Sequence, residues 1–171
     1  MPAEVPEEFL LWVGTTEPRK NLTKLVAAHN RLPKAPPLVL VGPKGWAEAP
    51  NSDRVIQLGE VDKPTLMALY QKAQAFVFPS HSEGFGLPIL EAFAAGTPVL
   101  TSNKSACAEV ASDAAVLVDP NSVADITKGI SRLIDDRRLR EHLSDAGLDR
   151  AVGFSWQATT SSYVEVFKSL L

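Results

Sequence analysis

The chain has 171 residues, of which 45% are hydrophobic, and its formal net charge is -3. A chain of this length buries roughly 70% of its unfolded surface and folds without disulfides or a structural metal, and its negative charge excludes a general nucleic-acid-binding surface. The single cysteine, Cys107, excludes an internal disulfide and predicts a buried residue in a protein of a reducing compartment. The acidic N-terminus and the lack of an apolar run of about 20 residues predict a cytoplasmic protein with no signal peptide and no integral membrane segment.

Short apolar runs alternate with helical patterns along the chain. Runs that are apolar throughout are typical of parallel strands covered on both faces. The predicted strands are residues 9–14, 37–42, 55–59, 75–79, 97–102 and 114–120. The predicted helices are residues 21–31, 64–74, 88–95, 105–111 and 123–135, followed by a helical region at 137–171 that is interrupted at 152–156. Pro64 and Pro88 fall in the first helical turn, where proline is tolerated.

This order of elements predicts an α/β fold, a Rossmann-like open parallel sheet of about six strands with helices on both faces. We expect a single domain over residues 1–171. Its βα core covers about residues 10–135, and its C-terminal helices cover residues 136–171.

Glycine, hydroxyl and basic residues concentrate in the loops that follow the predicted strands. Ligands of open α/β sheets bind beyond the carboxyl ends of the strands, where these loops meet. Backbone amides and a few cations can hold an anion there, so the sequence predicts a local site for a phosphate-bearing ligand. The loops are GTTEPRKN (14–21), GPKGW (42–46), PSHSEGFGLP (79–88) and SNKS (102–105).

The third of these loops carries two glycines directly before a helix. With a helix that begins near Pro88, we expect the amides of Phe85, Gly86 and Leu87 to face the helix entrance. The glycines allow a ligand to approach the backbone closely. The alternative is that the Gly-Phe-Gly sequence is only a tight strand-to-helix connection.

Two carboxylates, Glu83 and Glu91, flank this turn. Glu91 lies about one turn into the predicted helix, where the helix dipole favours a carboxylate, and it can accept two hydrogen bonds from neighbouring sugar hydroxyls. A ligand with hydroxyl groups at both ends and phosphate in the middle would suit the pair. The alternative is that Glu91 only stabilises the helix N-terminus.

Several stretches together resemble a known family. They are GTTEPRKNLTKLVAAHNRL, LVLVGPKGW, PSHSEGFGLPILEAFAAGTPVLTSNKSACAEVASDAAVLVDP and FSW. They look like the C-terminal, donor-binding half of retaining glycosyltransferases of the GT-B architecture, in glycosyltransferase family 4 (glycosyl transferases group 1). The resemblance runs from about residue 10 to residue 171, and its most specific part is the pair of glutamates separated by seven residues around Gly-Phe-Gly.

The resemblance implies roles for the first loop. Arg19 and Lys20 match the cations that neutralise the donor diphosphate and its departing charge, and Gly14 and Thr15 let the loop approach that group. A metal is not expected, because the cations take its place and the chain has no Asp-X-Asp motif. Without the resemblance, Arg19 and Lys20 would be interpreted as a solvated pair before a helix.

The resemblance also implies roles for the two glutamates. Glu91 matches the glutamate that binds the ribose hydroxyls, and Glu83 matches the one that orients a hydroxyl of the donor sugar near an oxocarbenium-like transition state. The implied catalytic residues are therefore Glu83, Arg19 and Lys20. The turn residues implied to contact sugar or phosphate are Gly84, Phe85, Gly86 and Leu87.

Other positions are weaker candidates. Gly59, with Glu60 and Val61 after it, matches a segment that contacts the base through its backbone. Lys44, Asn103 and Lys104 can face the ligand edge or simply be solvated, and His81 is expected to have no catalytic role. Three more positions are interpreted as structural: Trp12 in the core, and His29 and His142 as surface or packing residues. Trp156, in the FSW sequence, is expected to anchor the terminal helix.

The implied activity is transfer of a hexosyl group, mannosyl favoured, from a nucleoside diphosphate sugar (GDP-mannose or a UDP-sugar) to an acceptor hydroxyl, with no cofactor. The acceptor, a glycan or a lipid-linked sugar, would bind an N-terminal domain that we expect to be absent from this chain. The full-length enzyme could then lie peripheral to the inner membrane. The alternatives are a non-catalytic nucleotide-sugar-binding module and half of a split enzyme. A receiver-like signalling domain is disfavoured, because the first loop is net basic.

Overall fold

The computed structural model describes residues 1–48 and 50–170. Its strands form one parallel sheet with the order β3-β2-β1-β4-β5-β6. This is the strand order of the Rossmann fold, so the predicted fold class is confirmed. The strands are β1 (Leu10–Val13), β2 (Leu38–Val41), β3 (Val55–Gly59), β4 (Ala75–Phe78), β5 (Val99–Ser102) and β6 (Ala115–Val118).

The helices follow the predicted order, with ends that differ by at most a few residues. They are α1 (Leu22–Asn30), α2 (Lys63–Lys72), α3 (Leu87–Ala94), α4 (Ser105–Ala111), α5 (Val123–Asp135), α6 (Arg137–Val152) and α7 (Trp156–Ser169). A 3₁₀ turn at Pro18–Lys20 precedes α1. The predicted terminal region is two helices with a break between them, and its last residue, Leu171, lies outside the described residues.

The helices cover the sheet from two sides. The chain moves from β1 to β2 in one direction along the sheet and from β4 to β5 in the opposite direction. Right-handed crossovers therefore place α1 and α3 on opposite faces. Helix α1 packs against α5, and α3 packs against α6 with α2 and α4 as neighbours. The carboxyl ends of all six strands meet at one edge of this sandwich.

The central strands supply the core. Every residue of β1, β2, β4 and β5 is buried, as the apolar runs predicted. The edge strands β3 and β6 are only partly buried, because each has a neighbour on one side. The largest fully buried side chains include Trp12, Tyr70, Phe9, Phe76, Phe78 and Phe93.

Two helices at the carboxyl edge, α1 and α3, begin after a residue with left-handed backbone and have no side-chain cap. Helix α3 follows Gly86, with φ of 100°, and α1 follows Asn21, with φ of 61°. Left-handed backbone favours glycine, and asparagine tolerates it. Both helix entrances are therefore shaped by backbone geometry and leave the local side chains for other contacts.

Helix α7 has no buried residue. Trp156, its first residue, is 79% exposed, so the expectation that it anchors the terminal helix is wrong. The FSW sequence indicated a packing residue, but no other described element covers α7. Besides Trp156, α7 and its C-cap expose a set of apolar side chains, here named the α7 apolar surface: Tyr163, Val164, Val166, Phe167 and Leu170. Within residues 1–48 and 50–170, none of the helices has the length and apolar character needed to span a membrane.

Candidate functional site

The two cations of the first loop converge on one carboxylate. Glu83 Oε1 lies 2.8 Å from Lys20 Nζ, and Glu83 Oε2 accepts a hydrogen bond of 2.8 Å from Arg19 Nη1. The side chains of Lys20 and Glu83 are only 8% and 7% exposed, whereas that of Arg19 is 45% exposed. Glu83 Oε1 accepts no hydrogen bond from the described residues despite the short Lys20 contact. Both carboxylate oxygens of Glu83 thus face the two cations, and Oε1 is shielded from solvent.

A second carboxylate, Glu17, contacts Arg19 at a different nitrogen. Its Oε2 lies 2.7 Å from Arg19 Nε. Burial would lower the pKa of Arg19, but the hydrogen bonds and charges of Glu83 and Glu17 raise it above its ordinary value. The guanidinium is thus a permanent cation whose fork is oriented by two carboxylates. Lys20 is held differently, with its Nζ over the Phe78 ring at 4.7 Å from the centroid.

Glycines let the loops after β1, β2 and β3 pack closely. The Gly14 amide donates to Val41, and the Gly42 amide donates to Gly59. A Cβ on Gly42 would lie 2.2 Å from the Gly14 carbonyl oxygen, so this position requires glycine. Gly14 and Gly59, both predicted to bind the ligand, line the same cavity of about 300 Å³. Thr15 lies in the same loop layer, with its Cγ2 close to Gly45.

Asn21 fixes the first loop to two others. Its Nδ2 donates to the carbonyl of Pro79 at 2.9 Å and to that of Pro120 at 2.8 Å. The side chain is buried, and the two acceptors follow β4 and β6. In addition, the His81 amide donates to the Arg19 carbonyl at 2.8 Å. Arg19, Lys20 and the loop that carries Glu83 therefore form one unit.

The turn before α3 presents amides that have no protein partner. Among the described residues, the N–H groups of Gly84, Phe85, Gly86 and Leu87 donate no backbone hydrogen bond, although the turn closes with Ile89 donating to Gly86 at 2.9 Å. Free amides at a helix N-terminus favour a negatively charged ligand. The Phe85 ring lies edge-to-face on the Phe154 ring, with centroids 6.0 Å apart.

Glu91 is exposed on α3. Its Oε2 accepts a hydrogen bond of 3.0 Å from the hydroxyl of Tyr70 on α2. Phe85, Leu87 and Glu91 line a cavity of about 390 Å³ together with residues of the α6–α7 junction. The two glutamates of the motif thus have separate partners, Lys20 and Arg19 for Glu83 and Tyr70 for Glu91.

The weaker candidate residues are either exposed or engaged in contacts within the protein. Lys44 is exposed, and Lys104 forms an ion pair of 3.1 Å with Asp119. Trp12 is buried, as expected. Burial, and then the charge of Lys24, lower the pKa of His81. No group of three or more His, Cys, Asp or Glu side chains in the described parts of the chain is arranged to hold a metal ion.

Sequence reasoning missed three residues of the site. Glu17 and Asn21 lie in the stretch that was singled out, but their partners cannot be read from that stretch. Tyr70 lies in a predicted helix with no motif around it. The signal that identifies each is a buried or oriented polar contact across the sheet edge, which appears only in the structure.

The strand order and the loops place this domain in the class of open α/β domains whose ligands bind beyond the carboxyl ends of the strands. The family can be given more closely. The chain belongs to the family of glycosyl transferases group 1, whose family model matches residues 2–150.

Relatives of the chain are similar over nearly all of its length. O-antigen chain mannosyltransferase B of Escherichia coli is 38% identical over 95% of this chain and 46% of its own length. A serotype-specific mannosyltransferase of Escherichia coli is 34% identical over 98% of this chain and 22% of its own length. The chain thus spans about half or less of the curated relatives it matches.

A solved structure shows the same fold. The sucrose-phosphate synthase of Thermosynechococcus elongatus superposes with a TM-score of 0.83 and 28% identity, over 99% of this chain and 46% of that one. The family resemblance inferred from the motifs is therefore confirmed, while the site residues and the donor remain predictions.

Proposed function

We propose that this chain is the donor-binding domain of a retaining, metal-independent glycosyltransferase. It would bind a nucleoside diphosphate sugar and present a hexosyl group to an acceptor hydroxyl. The observation that carries this proposal is the convergence of Arg19, Lys20 and Glu83 beside the free amides of the turn at Gly84 to Leu87. Fixed cations and amides suit a diphosphate, and the carboxylate suits a sugar hydroxyl beside it.

Each group has a chemical task in the proposed transfer. The bond between the anomeric carbon and the diphosphate oxygen breaks, and the acceptor oxygen bonds to the same carbon on the same face. The acceptor proton passes to the leaving diphosphate. Arg19 and Lys20 stabilise the negative charge that develops on this group. Glu83 accepts a hydrogen bond from a hydroxyl of the donor sugar, and Glu91 accepts hydrogen bonds from the ribose.

The donor we favour is GDP-mannose, and a UDP-sugar is the alternative. Both similar proteins of Escherichia coli described above carry the name mannosyltransferase. The sucrose-phosphate synthase that shares the fold has a different name and product, so the fold leaves the sugar open. We expect the base of the nucleotide to contact the backbone of Gly59.

The acceptor, a glycan or lipid-linked sugar, would be bound by a second domain. The relatives described above are long enough to contain such a domain in addition to the part that matches this chain. The α7 apolar surface supports this part of the proposal, because Tyr163, Val166 and Phe167 are exposed on a helix that no described element covers. Soluble domains rarely expose a contiguous apolar surface without a partner. Transfer would then need both domains, whereas donor binding needs only this one.

The test is calorimetric titration of the purified chain with GDP, UDP and ADP in the presence of EDTA. We expect saturable binding of one of these diphosphates, weakened at least about tenfold in Glu91→Ala, because hydrogen bonds to a charged carboxylate are lost. Glu141→Ala, which removes an exposed glutamate from α6, is the matched control and keeps the wild-type affinity. Binding that requires added Mg²⁺ would contradict metal independence, and binding of none of the three nucleotides would contradict the donor site.

A further inference from the structure

Tyr70 joins helix α2 to the exposed carboxylate of Glu91 on α3. Its hydroxyl donates a hydrogen bond of 3.0 Å to Glu91 Oε2. The residue itself is fully buried, whereas Glu91 is exposed at the carboxyl edge. The phenol hydroxyl therefore links the core to a surface carboxylate.

The Tyr70 ring has little freedom to move. It lies edge-to-face on Phe76, with centroids 5.4 Å apart and an interplanar angle of 63°. The backbone carbonyl of Tyr70 accepts a hydrogen bond of 2.6 Å from Thr97 Oγ1, which ties α2 to the segment between α3 and β5. Because a tyrosine side chain has only two rotatable torsions before its hydroxyl, fixing the ring and the backbone fixes the oxygen.

The Glu91 side chain, by contrast, would be mobile on its own. A glutamate on an exposed helix surface samples many rotamers and loses that freedom when it binds a ligand. The bond from Tyr70 occupies one lone pair of Oε2 and leaves Oε1 free to accept from another donor. The carboxylate is thereby held in one orientation before any ligand arrives, which lowers the cost of binding.

The protonation state of Tyr70 suits this role. Burial raises the pKa of its phenol far above the ordinary value, and the negative charge of Glu91 raises it further. The hydroxyl consequently stays protonated and is the donor in its hydrogen bond to Glu91. It can orient the carboxylate without exchanging a proton with it.

We propose that Tyr70 is a positioning residue that presents Glu91 to the two neighbouring hydroxyls of the nucleotide ribose. This inference rests on the proposed function, in which Glu91 accepts hydrogen bonds from that ribose. It adds that the orientation of the carboxylate is set by a buried side chain from a different helix.

The test compares Tyr70→Phe with the wild-type chain, using GDP, UDP and ADP and their 2′,3′-dideoxy analogues. Phenylalanine keeps the buried ring and removes only the hydroxyl. We expect Tyr70→Phe to weaken binding of the ribonucleotide about tenfold, the scale of one hydrogen bond to a charged group. Its affinity for the dideoxy analogue should stay within about twofold of the wild type, because that ligand offers Glu91 no hydroxyl.

A double-mutant cycle separates positioning from general damage to the fold. In a Glu91→Ala background, adding Tyr70→Phe should cause no further loss of ribonucleotide affinity. Tyr163→Phe, at the only other tyrosine of the chain, removes a hydroxyl from an exposed position on α7 and is the matched control. Thermal unfolding of each variant establishes that the compared chains are folded.

The outcomes are distinguishable. If Tyr70→Phe binds the ribonucleotide as well as the wild type, or loses affinity equally for the ribonucleotide and the dideoxy analogue, the positioning role is wrong while donor binding stands. If the wild type binds the ribonucleotide and the dideoxy analogue with equal affinity, Glu91 does not bind the ribose hydroxyls and the inference also fails. If the wild type binds none of GDP, UDP and ADP, the proposed function itself fails.

Discussion

Replacing Glu83 with glutamine should destabilise the domain in the absence of any ligand. The variant keeps the shape of the side chain and one carbonyl acceptor but removes the charge that Lys20 and Arg19 share. The substitution would leave the charge of Lys20 without its partner, because the Lys20 side chain is 8% exposed and Glu83 is the carboxylate at 2.8 Å from its ammonium. Arg19 suffers less, since it is 45% exposed and keeps Glu17 at 2.7 Å.

The size of the effect follows from burial. Removing one partner of a buried ion pair costs about 3–5 kcal/mol, because the other charge stays buried without compensation. The Arg19 contact adds little, since partly exposed pairs are worth about 0–1 kcal/mol. Glutamine retains an acceptor, and the Phe78 ring still faces Lys20, so we expect about 3 kcal/mol. For a domain of this size that loss lowers the Tm by roughly 6–12 °C.

Thermal and urea unfolding, followed by circular dichroism, measure this loss. Glu141→Gln is the matched control, because it makes the same substitution in an ion pair of 2.7 Å whose side chains, on Arg137 and Glu141, are 83% and 59% exposed. That exposed i,i+4 pair should contribute only about 0.3–0.5 kcal/mol. Equal losses of stability in the Glu83 and Glu141 variants would refute the argument that burial makes the Lys20 contact strong.

Asn21→Asp should lower the free energy of unfolding in urea by about 2–4 kcal/mol, because it replaces two buried hydrogen bonds, which the amide donates to the carbonyls of Pro79 and Pro120, with a carboxylate facing those carbonyls. A loss no larger than that of Asn103→Asp, at an exposed position, would contradict the role of Asn21 in joining the loops. His29 is buried, donates through Nε2 to the Pro36 carbonyl, and has its pKa lowered mainly by burial. Since the unfolded chain binds the proton more readily, the stability that His29 contributes is present above about pH 6.5 and is lost as the pH falls through the lower folded pKa. His29→Gln should flatten urea-derived stability between pH 7.5 and 5, and curves parallel to the wild type would exclude this linkage.

The fold was largely predictable because its signals are local. Apolar runs such as residues 37–42 and 75–79 are strands in the structure, and Pro64 and Pro88 lie in the first turns of their helices. The interruption in the terminal region was also predictable. The packing of α7 was not, because the exposure of Trp156 depends on whether a neighbouring element exists, and no pattern along the chain reports that.

The sequence by itself determined which loops contain the candidate site residues. Cations, glycines and carboxylates stand in GTTEPRKN and PSHSEGFGLP, and parallel strands bring such loops to a common edge. Only the tertiary structure decided which side chains meet there. Glu83 pairs with Arg19 across 64 positions, Asn21 spans 58 and 99 positions to reach its two acceptors, and Tyr70 reaches Glu91 from another helix. Such contacts depend on strand register and helix crossovers over the whole sheet, which no short stretch of the chain encodes.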